Sequence, residues 1–110
     1  MQVPNRHFEI LSEITLYDSQ TGRLSPIRDG YRPNIYFGIT NPSDPNYSSD
    51  CIIHLINIKE LEPGKTATVM IHVIKYFYLR QLLQLGTKLK LKEGGRFIGE
   101  GKIIGVIGEK

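Results

Sequence analysis

KLKLKEGGRFIGEG, residues 88 to 101, decides the fold class. Lys88, Lys90 and Lys92 alternate with Leu89 and Leu91, the period-two pattern of a strand with one face buried and the other in water. Gly94-Gly95 follows Glu93 and supplies the positive φ angles of a tight two-residue hairpin turn. A second apolar run returns over residues 97–107, carrying Gly99, Gly101 and Gly105. Glycine weakens a flat strand, but it permits the sharp coiling of a small barrel. This hairpin predicts an all-β chain.

Outward from it, short apolar runs keep alternating with turn signals, the pattern of a sandwich or barrel. Residues 8–17 form the first candidate strand, closed by the polar run Asp18-Ser19-Gln20-Thr21-Gly22. A second, 31–40, follows Asp29-Gly30, and the two prolines of the run from Asn41 to Asn46 mark an exposed loop. Residues 51–58 are dense in isoleucine and lead to Glu62-Pro63-Gly64-Lys65, where Pro-Gly suits a type II turn. In 66–74, Ala67, Val69, Ile71 and Val73 form the core face, and Thr66, Thr68, Met70, His72 and Ile74 point outward. About six strands result, as expected of a small closed antiparallel barrel. One segment, 76–85, breaks the period. Leu79, Leu82 and Leu83 take helical spacing and Gly86 stops the run, which predicts a short helical insertion. Its leucines either cap one end of the barrel or join Tyr76 and Phe77 in an exposed patch that docks a partner, with Tyr76, Phe77, Leu79 and Leu82 as anchors.

The chain's 110 residues fit one domain, and its apolar and charged fractions, 40% and 23%, are those of a globular protein. No stretch is long and apolar enough to span a bilayer, and the first residues carry no basic-then-apolar signal. The single cysteine, Cys51, has no internal disulfide partner, which fits a reducing compartment, so the cytoplasm is the expected location. The net charge of +3 is mild but uneven. Residues 75–102 hold seven basic side chains against two acidic ones, a local net charge of +5 that suggests a binding face.

Five landmarks occur in order along the chain: Gly22-Arg23-Leu24-Ser25-Pro26, Gly30-Tyr31-Arg32-Pro33-Asn34-Ile35-Tyr36-Phe37, Pro63-Gly64, Met70-Ile71-His72 and Glu93-Gly94-Gly95-Arg96. At close to this spacing they resemble the third domain of bacterial elongation factor Tu. The resemblance covers nearly the whole chain and implies a six-stranded antiparallel Greek-key barrel. It also implies contact with the backbone of a tRNA T-stem through Arg23, Arg32, Asn34, His72, Glu93 and Gly94, without sequence specificity. Those residue types suit the task. Arginine forks onto phosphate oxygens, Asn and His hydrogen-bond phosphate or 2′-hydroxyl groups, and glycine lets backbone approach backbone. Two departures separate the chain from the family. A GTPase domain and second barrel do not fit within its length, and the segment between His72 and Gly86 is longer than the family's by roughly two helical turns.

Each of these residues also has a purely structural role open to it. Arg32 either braces its loop or meets RNA, and His72 is either a plain surface residue or a contact. Gly94 serves the hairpin in any case. The row Lys88, Lys90, Lys92 either binds phosphate or is a solvated face that protects an edge from aggregation. Catalytic motifs are lacking. There is no GxxxxGK[ST] loop, so no GTP is expected to bind this chain, and Gly99-Glu100-Gly101 meets Ile104 where a dinucleotide fingerprint needs glycine. His7, His54 and His72 are scattered in sequence with no HExxH or cysteine pair, so neither metal nor cofactor is expected. Cys51 and His54, three apart on a strand, point to opposite faces and cannot pair as thiol and base. The expected protein is thus a non-catalytic binding module. Its partner is either structured RNA such as a tRNA stem, or a translation-related protein that docks on the barrel.

Overall fold

A computed structural model describes residues 6–38, 48–74 and 79–110. The strands are β1 (Phe8–Leu16), β2 (Ile27–Arg28), β3 (Asn34–Tyr36), β4 (Ser49–Leu55), β5 (Glu60–Leu61), β6 (Thr66–Val73), β7 (Lys88–Glu93) and β8 (Arg96–Glu109). Six of them close into an antiparallel barrel in the order β1-β6-β4-β3-β7-β8, with β8 returning to β1. β3, β4 and β6 are successive neighbours and β7 crosses back to lie beside β3, which is a Greek key. β2 and β5 pair apart from the barrel, Ile27 with Leu61 and Arg28 with Glu60. Runs that short carry no period, so alternation gives no sign of them.

Alternation sets the core. Val69, Ile71 and Val73 of β6 and Leu89 and Leu91 of β7 are buried together with Ile10, Ile14, Ile35, Ile53 and Ile98, while Lys88 and Lys90 stand in water. Each such aliphatic side chain contributes about 1.5–3 kcal/mol by leaving water. β8 spans 14 residues and bends round the barrel, its pairing shifted by bulges against both neighbours. Gly101 makes the bend possible: a Cβ there would lie 2.2 Å from the Glu13 carbonyl oxygen of β1. No side chain fits that gap. The β7–β8 hairpin pairs Glu93 with Arg96, and only the first of its two glycines, Gly94, has positive φ, at 62°. That is the type II′ pattern, which needs one left-handed residue rather than two. At Pro63-Gly64 the Lys65 amide donates to the Glu62 carbonyl at 3.1 Å, closing the expected turn.

One expectation is corrected and one is borne out. In its described part, residues 31–38, the run 31–40 yields only the three residues of β3, plus an isolated bridge from Tyr31 to Ile53, because Pro33 between them has no amide to give to a ladder. Residues 39–47 lie outside the described ones. The short helical insertion expected over 76–85 is present in its described part, residues 79–85, as a 3-10 turn, Arg80–Leu82, in which the Leu82 amide donates to Leu79 O at 2.8 Å. Gly86, at φ 86°, ends the segment. Leu79 and Leu83 are buried in the core and Leu82 packs half-buried against it, so burial of these leucines fixes the segment as a cap on the barrel. Leu79 is therefore no surface anchor. Tyr76 and Phe77, the aromatic half of the expected docking patch, lie outside the described residues.

Candidate functional site

Three outward features of the barrel carry chemistry. The first is the outer face of β3, β7 and β8. Register places Lys88 opposite Lys102, Lys90 between Tyr36 and Glu100, and Lys92 between Asn34 and Phe97. The rings of Tyr36 and Phe97 approach at 5.6 Å between centroids. Above them sit two ammonium groups: Lys90 Nζ is 5.0 Å from the Phe97 ring centre, and Lys92 Nζ is 5.4 Å from Phe97 and 6.0 Å from Tyr36. Such contacts steer the lysine heads over the strands rather than away from them, each worth about 0.5–1 kcal/mol when exposed. Among the described residues no ion pair engages Lys88, Lys90, Lys92 or Lys102. A cleft of about 290 Å³ opens alongside, lined by Tyr36, Phe37, Lys88, Lys90 and Glu100.

Arg32 and Asn34 continue this face. Arg32 is exposed, and among the described residues it makes no hydrogen bond or ion pair, so it does not brace its loop. Asn34 donates from Nδ2 to Asp50 Oδ1 at 3.0 Å, which fixes its amide at the edge of the lysine row.

Arg23 and Glu93 form the second feature, and both are engaged within the fold. Arg23 donates from Nη1 to Glu93, from Nε to Ser25 O at 3.1 Å and from Nη2 to Ser25 Oγ at 3.1 Å. Its guanidinium also lies over the Tyr31 ring, 4.7 Å from the centre. The Tyr31 hydroxyl donates to the same Glu93 oxygen. Burial first, and then the hydrogen bond to Glu93, hold the Tyr31 phenol far above its ordinary range, so it remains a donor. This triad clamps the 22–26 segment onto the β7–β8 hairpin. The Arg23 guanidinium and Glu93 Oε1 thus have a structural role within the fold, beside the RNA contact that the sequence suggests for them. Gly94 is exposed at the hairpin tip and makes the turn.

The third feature lies on the outer side of β1, β6 and β4. His72 stands opposite Glu9 on β1 and Ile52 on β4, at a register position that should face water. It is only 7% exposed, and Ile52 is fully buried although it lies outside the core cluster. His72 is therefore neither a plain surface residue nor a reachable contact for RNA. Nor are the histidines scattered. The His7 ring stacks on that of His72 at 4.5 Å, and His54 packs against the other side at 4.5 Å. His7 Nε2 is 3.1 Å from Glu9 Oε1, while His72 Nε2 is 3.8 Å from the same oxygen. His54 Nε2 and His72 Nδ1 are buried with no hydrogen-bond partner. Burial lowers the His72 pKa below the ordinary imidazole value, the neighbouring His54 and His7 lower it further, and Glu9 opposes them. Cys51, by contrast, points into the core, where burial drives its thiol pKa far up, and its Sγ contacts Pro33 O at 3.5 Å. It is an inert core residue, on the opposite face from His54, as the period requires.

No protein-family model matches the chain. Its function is therefore argued from these three surfaces.

Proposed function

We propose that this barrel is a non-catalytic module that binds the phosphate backbone of structured RNA, such as a tRNA stem, through the outer face of β3, β7 and β8. One observation carries the proposal. Lys88, Lys90, Lys92 and Lys102 form a cluster with no ion-pair partner among the described residues, and two of them are held over a Tyr36–Phe97 pair. Lysines two apart on a strand lie about 6.6–6.8 Å from each other, a spacing that lets neighbouring lysines reach separate phosphates. Arg32 adds an uncommitted guanidinium and Asn34 an amide beside the row. The resemblance of the five sequence landmarks to the third domain of elongation factor Tu supports the same partner class. The contact surface is nonetheless shifted from the one that resemblance implies, toward the lysine row and away from Arg23, His72 and Glu93.

The test is a titration of fluorescently labelled tRNA at two salt concentrations. About four neutralised phosphates predict a loss of roughly 10²-fold in affinity between about 50 and 200 mM salt. Replacing Lys88, Lys90 and Lys92 together by Gln is expected to reduce the salt slope by about three. Absence of saturable binding at low salt, or a slope unchanged in the triple variant, removes the proposal. The other expected partner, a translation-related protein docked on 76–85, has less support because Leu79 is buried in the core.

A further inference from the structure

The geometry points to a binding site for a borderline first-row cation, of the Zn²⁺ class, made by His7, Glu9 and His72 on the outside of β1 and β6. Their three donor atoms all lie within 4.8 Å of one another. In a tetrahedral zinc site with bonds of about 2.0–2.1 Å, pairs of ligand atoms stand about 3.3 Å apart. The pair His7 Nε2 and Glu9 Oε1 is already at 3.1 Å, and His72 Nε2 needs to close from 3.8 Å by about half an ångström. The remaining pair, His7 and His72, stands no more than 4.8 Å apart, so binding requires the two rings to swing together about their side-chain bonds.

Independent support comes from the polar atoms the fold leaves unsatisfied. Nε2 of the adjoining His54 is buried without a hydrogen-bond partner among the described residues, and so is Nδ1 of His72, although the nitrogen of His72 that approaches Glu9 is Nε2. Leaving a buried polar atom unpaired costs about 1–3 kcal/mol, and two of them meet in one packed group. The imidazoles of His7 and His72 and the Glu9 carboxylate, largely shielded from water yet outside the hydrophobic core, form a donor set that such a cation prefers. Two imidazoles and one carboxylate suit zinc, nickel or copper and not magnesium or calcium, which seek oxygen ligands. Glu9 and His72 face each other across the β1–β6 ladder, so the bound ion would tie the first strand of the barrel to the fourth. His54, tilted against His72 from β4, is positioned to extend the set.

The experiment uses the full chain stripped with a chelator, titrated calorimetrically with Zn²⁺ alone and melted with and without it. Saturable binding of one ion per chain is expected, with a raised melting temperature that Mg²⁺ at the same concentration does not reproduce. Glu9→Gln and His72→Gln are each expected to weaken binding by at least the 10–100-fold typical of losing even an outer partner of a metal site. Should His72→Gln fail to fold, Glu9→Gln decides, together with the imidazole nitrogen chemical shifts of His7 and His72 in the unaltered chain, which must move when Zn²⁺ is added. Zinc binding no tighter than about millimolar, unchanged affinity in the Glu9→Gln variant, or histidine shifts that stay in place would each overturn the site and leave an adventitious ion only.

Discussion

The outer face of β7 and the outer face of β6 begin from the same sequence pattern and end in opposite environments. Both strands alternate, both send their aliphatic residues into the barrel, and both place nitrogen-bearing side chains on the other side, three lysines on β7 and His72 on β6. On β7 those side chains are lysines, exposed at Lys88 and Lys90 and without ion-pair partners among the described residues. On β6 the corresponding place holds His72, buried between two other imidazoles. Alternation reports which side of a strand a residue occupies, and it does not report what covers that side. Of these two outer faces, that of β7 is open to a large charged partner, and that of β6 at His72 is covered.

Mutations test this contrast, beginning at the seam between the two faces. Gly101→Val forces a side chain into the β1–β8 contact, where even a Cβ would meet Glu13 O. It is expected to cost about 3 kcal/mol or more, the upper end of overpacking, and to disrupt both faces together. Urea denaturation measures it, and a midpoint close to that of the unaltered chain would show that the seam yields.

A carboxylate introduced on each face separates them next. His72→Asp places a charge in the covered site, opposite the Glu9 carboxylate on the neighbouring strand, and is expected to destabilise the metal-free chain by about 3 kcal/mol. Lys90→Asp on the open face should cost only about 1 kcal/mol, from the lost contact with Phe97 and a carboxylate set opposite Glu100. Equal costs, measured in the same denaturant series with a chelator present, would erase the distinction.

The smallest effect is expected from Lys88, Lys90 and Lys92 replaced together by Gln. Stability should change by no more than about 0.5 kcal/mol in total, because the glutamine side chains still cover the Tyr36–Phe97 rings and removing the Lys88 charge relieves its repulsion with Lys102 across the ladder. A large loss of stability would mean that the lysine stems hold the Tyr36–Phe97 pair in place and that the row serves the fold.

Much of the fold was legible in residue order alone. Strict alternation in β6 and β7, the Pro63-Gly64 turn and the glycines of β8 are local signals, each contained in a few neighbouring residues, and the six-stranded closed barrel follows from them. The histidine group was not legible. His7, His54 and His72 come from three different strand regions, and what brings them together is register between strands, which alternation within one strand leaves undetermined. Arg23 shows the same limit from the other direction. Its sequence context suits a phosphate ligand, but the partner that engages it, Glu93, is 70 residues away. The cap at Leu79 was legible as a short helical turn, because leucines at helical spacing closed by Gly86 are again a local signal, while which of them would be buried was not.

The pairing of β1 with β8 also governs how this chain must acquire its shape. Residues 8–16 find their second ladder partner only in residues 99–109, so the barrel joins segments separated by most of the chain. Such closure requires a large loop entropy to be overcome before any contact rewards it, which places the protein among slow folders, on the order of milliseconds to seconds. During synthesis, β1 would spend most of its life as a strand with one open edge, pairing with β6 first and waiting for β8.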